Sequence, residues 1–131
     1  MKYLCLIYEE EKRFTQVSKP ELDKVMSEYG ALTEDLKKNG QYVAGFQLQP
    51  TDAATTVRSR NGKVSTTDGP FAETKEQLGG AYLIEAKDLN EAVQVASRIP
   101  SARFGSIEVR PIVERNQVKS QPAEALASST A

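Results

Sequence analysis

Histidine and tryptophan are missing from this 131-residue chain, and cysteine occurs once. Each absence removes chemistry. Without His there is no side chain whose ordinary pKa lies near neutrality, so the usual proton shuttle and the commonest metal ligand are gone. Serine–histidine and cysteine–histidine nucleophile schemes go with it. One cysteine without His does not make a zinc centre, so no metal is expected. The same count forbids an intramolecular disulfide, and Cys5, inside Tyr3-Leu4-Cys5-Leu6-Ile7-Tyr8, reads as a small buried thiol. No apolar run reaches membrane-spanning length, and no basic flank followed by an apolar stretch and small-residue cleavage site opens the chain. The expected location is the cytoplasm. Charge of either sign is not in excess. With 17 basic and 18 acidic residues the net charge is −1, which provides no long-range attraction to nucleic acid or to an anionic membrane.

What is present is the composition of a soluble globular domain, 39% hydrophobic and 27% charged. Residues 2–8 form an apolar run with the length of a strand buried on both faces. Glu9-Glu10-Glu11-Lys12-Arg13 reads as a solvated charged loop. Ser18 then caps a helix, with Pro20 in its first turn and Glu21 closing a capping box. Leu22, Val25, Met26, Tyr29, Leu32 and Leu36 recur behind it at helical spacing, and Gly40 suits the residue beyond the last turn. Residues 42–48 return as a strand. Polar arms at 55–60 and 63–67 flank Asn61-Gly62, a strong hairpin signal, and read as an edge or an outward flap. A strand at 81–85 leads to a second helix, capped by Asp88 and lined by Leu89, Ala92, Val93, Ala96 and Ile99 up to Pro100. A last strand covers 106–112 with Ile107 and Val109 inward. From residue 114 the chain turns to Gln, Ser, Ala and Thr without period, as disordered tails do.

The order strand–helix–strand, hairpin, strand–helix–strand describes an α+β ferredoxin-like sandwich over residues 1–113, with 114–131 as a polar tail. Such a sheet carries helices on one face only. A second copy of the same sheet is the simplest cover for the other, so a homodimer is expected.

Chemistry-bearing residues concentrate in Asp68-Gly69-Pro70-Phe71-Ala72-Glu73-Thr74-Lys75-Glu76, closed by Gln77-Leu78-Gly79-Gly80. Dense charge around special backbone positions is how a site on a rigid scaffold looks. Asp68 equally suits a turn, and Gly69 before proline is biased toward extended backbone. Glu73, Lys75 and Glu76 equally suit a solvated loop. In a chain without His, a partly desolvated carboxylate is the general base to expect, which makes Asp68, Glu73 and Glu76 the catalytic candidates. Lys75, Arg103 and Arg110 could anchor a substrate, the arginines by a bidentate fork on a carboxylate. Tyr8 is a pocket candidate because it ends a central strand. Gly79-Gly80 lacks the spacing and following Lys-Ser/Thr of a phosphate loop, so no nucleotide cofactor is implied.

DGPFAETKE at 68–76 resembles the signature of the DGPFAETKE proteins in the YCII-related family, and EQLGGAYLIEAKDLNEA and IPSARFGSIEVRPI are similar to that family's pattern. The resemblance covers roughly residues 1–113. It implies a dimeric α+β barrel of small bacterial proteins, mostly without assigned function. Some relatives are enzymes with a histidine–aspartate pair, a dehydrochlorinase of chlorinated hydroxyquinols among them, but that pair has no counterpart in a chain without His. Others occur beside or fused to sigma factors. The reading that follows is a cofactor-independent isomerase or lyase-type enzyme acting on a small organic acid or phenolic compound by carboxylate acid–base chemistry. The alternative is a non-catalytic regulatory module that binds a protein partner such as a sigma factor. A third reading is that the motif only builds the fold and the dimer.

Overall fold

Alternation organises the first strand, β1 (Lys2–Glu9), more strongly than its apolar composition suggests. In the computed structural model, which describes residues 1–114, Tyr3, Cys5, Ile7 and Glu9 are buried while Leu4, Leu6 and Tyr8 on the other side are half-covered. Burial on both faces was expected. Only one face is packed by helices, so only every second residue is buried. Glu9 belongs to that inner series rather than to a solvated loop. A short 3-10 turn (Glu11–Thr15) carries the chain to α1 (Lys19–Lys38). Its start is as expected, because the backbone N–H of Glu21 donates to Ser18 Oγ and Pro20 sits in the first turn. Its end is also as expected. Gly40 takes φ +70, and the Gln41 and Gly40 amides bond the carbonyls of Leu36 and Lys37, the paired bonds that satisfy a helix C-terminus.

The remaining strands are β2 (Tyr42–Gln47), β3 (Thr55–Arg60), β4 (Lys63–Asp68), β5 (Gln77–Glu85) and β6 (Ser106–Pro111). The second helix, α2 (Leu89–Ser97), lies between β5 and β6 and is capped by Asp88, whose side chain accepts from the Glu91 amide. The main sheet has the order β2-β5-β1-β6 with every neighbour antiparallel. Two strand–helix–strand halves thus interlock, β5 of the second half lying between β2 and β1 of the first. This is the α+β ferredoxin-like arrangement. The core lies between the helices and the sheet, from Tyr3, Cys5, Ile7, Tyr82 and Ile84 to Leu32, Leu36, Val95 and Ile99. On α2 the inner face is Ala92, Val95 and Ala96, with Ile99 just beyond the helix, while Leu89 and Val93 are exposed. That set keeps the spacing of one helical stripe, so the expected face is rotated.

The β3–β4 hairpin stands apart as its own two-stranded sheet. Asn61 at φ 53 and Gly62 at φ 76 form the two-residue turn that the Asn-Gly pair demands. Gly69 takes φ +102 rather than an extended backbone, held by its amide on the Ala54 carbonyl and by Thr56 Oγ1 donating to its own carbonyl. Among the described residues no helix is long and apolar enough to cross a membrane. Apart from Glu114, the polar tail lies outside the described residues.

Candidate functional site

The apolar stripe of α1 is longer than the surface it buries. Leu32 and Leu36 in the second half are buried, whereas Leu22 and Val25 are half-exposed and Met26 is exposed. The first half stands off the sheet and leaves a cavity of about 680 Å³. Its apolar wall includes Ile7, Phe14, Leu22, Val25, Met26 and Leu48. Its polar wall includes Glu9, Tyr29, Thr33, Tyr82 and Ser101. Gly79 and Gly80 form part of the sheet side. A side chain at position 80 would place its Cβ 2.6 Å from the Phe46 carbonyl oxygen, so close strand approach rather than phosphate binding requires this glycine.

Glu9 is the charged centre of this wall. Its Oε1 accepts from Ser101 Oγ at 3.3 Å, and Ser101 Oγ lies 2.5 Å from the Tyr29 hydroxyl. Burial raises the Glu9 carboxyl above its ordinary value, and the Ser101 hydrogen bond and the Arg13 charge oppose that rise while Glu76 adds to it. Burial likewise pushes the Tyr29 phenol up to about 12 and raises that of Tyr82. Tyr82 shares a hydrogen bond of 2.7 Å with Thr33, and its ring stacks with that of Tyr29, centroids 6.3 Å apart. Glu11 at the rim is already engaged, accepting from the Thr51 amide at 2.8 Å and the Thr51 hydroxyl at 2.7 Å. Among the described residues no three metal-ligating side chains converge.

None of the seven residues expected from the sequence lines this cavity. Asp68 ends β4 and is exposed, as are Glu73 and Lys75 in the following loop. Glu76 is half-buried and accepts from Ser106 Oγ at 2.8 Å. Arg103 forks onto Glu28, at 3.1 and 2.7 Å, and so ties the 3-10 turn at Pro100–Arg103 to α1. Arg110 is hydrogen-bonded to Glu108 on β6. Tyr8 alternates with Ile7 and Glu9, so its side chain belongs to the open face of the sheet. The motif nevertheless reaches the rim through Gln77, whose Nε2 donates to the carbonyls of Thr74 and Lys75 while its Oε1 accepts from the Glu11 amide. Glu9 escaped the sequence reading because it opens an acidic run. The signal that could have found it is position, since Tyr3, Cys5, Ile7 and Glu9 form one period-two series. Ser101 carries no such signal.

Fold and cavity together define a small ferredoxin-like α+β protein with a carboxylate at the wall of a largely apolar pocket. The chain belongs to the YCII-related domain family, whose model matches residues 1–116. It is 40% identical over 114 residues to an uncharacterized protein of Rhizobium meliloti (strain 1021), covering 86% of this chain and 92% of that protein.

Proposed function

We propose that this YCII-family protein acts on a small molecule held in the α1 cavity, by cofactor-independent acid–base chemistry centred on Glu9. The observation that carries the reading is the buried Glu9 carboxylate on the cavity wall, hydrogen-bonded to Ser101 and through it to Tyr29. A carboxyl raised by burial accepts and returns a proton closer to neutral pH than a solvated one, which suits isomerisation or elimination. Such a base contributes roughly 10²–10⁴ in rate. The volume of about 680 Å³ suits a small organic ligand. The lone thiol, Cys5, is buried and pushed up to about 11, which fits an inert core residue in a reducing cytoplasm. The supporting test is a thermal-shift screen over organic acids, phenols and amines, followed by mass spectrometry of incubated hits. Glu9→Gln is expected to abolish product at saturating ligand, whatever it does to ligand affinity. Undiminished product from that variant rules out the catalytic role.

The assembly we propose is a homodimer through the open sheet face, where Leu4, Leu6 and Tyr8 of β1 and Leu83 of β5 are only half-covered. A second reading, a module that binds another protein such as a sigma factor, draws on Phe71, which is 82% exposed in the motif loop. It requires Phe71→Ala to weaken capture of that partner while leaving ligand binding intact.

A further inference from the structure

The protons of the polar wall can be assigned one by one, and they leave it short of donors. Thr33 has a single hydroxyl proton, which it donates to the Tyr29 carbonyl oxygen at 3.0 Å. Tyr82, 2.7 Å from Thr33 Oγ1, must therefore be the donor of that pair. Ser101 donates its one proton to Glu9 Oε1, so Tyr29 is the donor in the 2.5 Å contact with Ser101 Oγ. The Gln77 amide protons are taken by Thr74 and Lys75, and the Thr15 hydroxyl donates to the Lys12 carbonyl. What these groups still offer a ligand are lone pairs on the Tyr29 and Tyr82 hydroxyl oxygens and the second oxygen of Glu9. Of the other polar lining residues, Lys12 and Gln47 are exposed at the edge, and Tyr42 supplies one hydroxyl. The charged lining groups are Glu9, Glu11 and Lys12, an excess of one negative charge, and both candidate anchoring arginines are paired elsewhere.

We infer that the ligand of this cavity is an organic amine, entering as an ammonium whose N–H groups meet Glu9, Tyr29 and Tyr82 while its apolar body lies against Leu22, Val25 and Met26. The inference rests on the reading of the cavity as a ligand site and names the ligand's class. An ammonium brings three donors and a positive charge to a wall of acceptors. A carboxylate ligand brings neither and meets Glu9 as a like charge. The Arg13 and Glu76 charges and the Tyr29 phenol also act on Glu9, and binding an ammonium favours its ionised form against its burial. Amine binding is therefore coupled to proton release from Glu9 wherever that carboxyl is still protonated in the free protein.

Isothermal titration of the full chain with 2-phenylethylamine, 2-phenylethanol and phenylacetate tests this. The amine is expected to bind about tenfold or more tightly than either of the others, the factor one charge-assisted hydrogen bond contributes. Its binding enthalpy should vary with the ionisation enthalpy of the buffer as protons are released. Glu9→Gln should bring amine and alcohol to similar affinity, and Tyr29→Phe should weaken the amine a few-fold without disturbing the fold. Phenylacetate or the alcohol binding as tightly as the amine overturns the inference and leaves the ligand-site reading intact. No binding by any of the three overturns both.

Discussion

Glu9 costs stability where its neighbours gain it. Burial raises its folded-state carboxyl above the ordinary value of 4.5, so above that pH the folded chain holds a proton that the unfolded chain has lost. Stability from this group is present below the unfolded value and declines as pH rises toward the folded one. Glu28, beside Arg103, and Glu85, beside the N-terminal ammonium, are lowered from the same ordinary value. Their contribution is present above 4.5 and is lost as pH falls through their lowered values, on the acid side. Urea unfolding across pH should therefore show wild-type stability falling above pH 4.5, and Glu9→Gln should flatten that decline while leaving the acid limb unchanged. A decline that persists in Glu9→Gln would assign it to another group. Ser101→Ala removes the hydroxyl that joins Glu9 to Tyr29, and is expected to cost roughly 1–3 kcal/mol because a buried carboxyl and a half-buried phenol lose their partner. A variant as stable as wild type in urea would mean water replaces the hydroxyl freely.

At the scale of elements, helix α1 does two jobs along one stripe. Its second half closes the core through Leu32 and Leu36, and its first half roofs the cavity through Leu22, Val25 and Met26. The helix is held at its far end by Gly40, whose φ of +70 strains a residue such as alanine that carries a β-carbon. Gly40→Ala should cost about 1 kcal/mol in thermal or chemical unfolding, and an unchanged midpoint would show that the end of α1 relaxes around the new side chain. The β3–β4 ribbon is the opposite case. Its ladder is paired only with itself, and its apolar residues Val57 and Val64 are 62% and 71% exposed. Its amides should exchange with solvent well before those of β1 and β5, which lie inside the main sheet. Equal protection would mean that something outside the single chain covers the ribbon.

The whole molecule shields one face of its sheet and leaves the other open. Leu4, opposite Leu83 on β5 and Arg110 on β6, shows the character of that face: an apolar centre with charge toward the β6 edge. The proposed dimer hides the centre. Leu6→Glu should shift the sedimentation of the protein from dimer toward monomer, because it places a charge in the middle of the contact. A wild-type chain that sediments as a monomer would remove the proposal outright. Because α1 and its cavity lie on the covered side of the sheet, the same variant should leave amine binding unchanged.

Local rules sufficed for much of this protein. Caps at Ser18 and Asp88, the Asn61-Gly62 turn, the Gly40 helix end and the two strand–helix–strand halves follow from spacing within a few residues, and they order the sheet. The YCII resemblance lies equally in contiguous residues. The site was decided elsewhere. Glu9 and Ser101 are 92 positions apart, Tyr29 and Ser101 are 72, and Thr33 and Tyr82 are 49. Periodicity says which residues share a face of one element, but not which faces meet when two halves interlock or where a helix stands clear of the sheet. The charged motif at 68–76 drew the eye because its residues are adjacent in sequence. Packing left most of its side chains at the surface and built the cavity from residues that only tertiary structure makes neighbours.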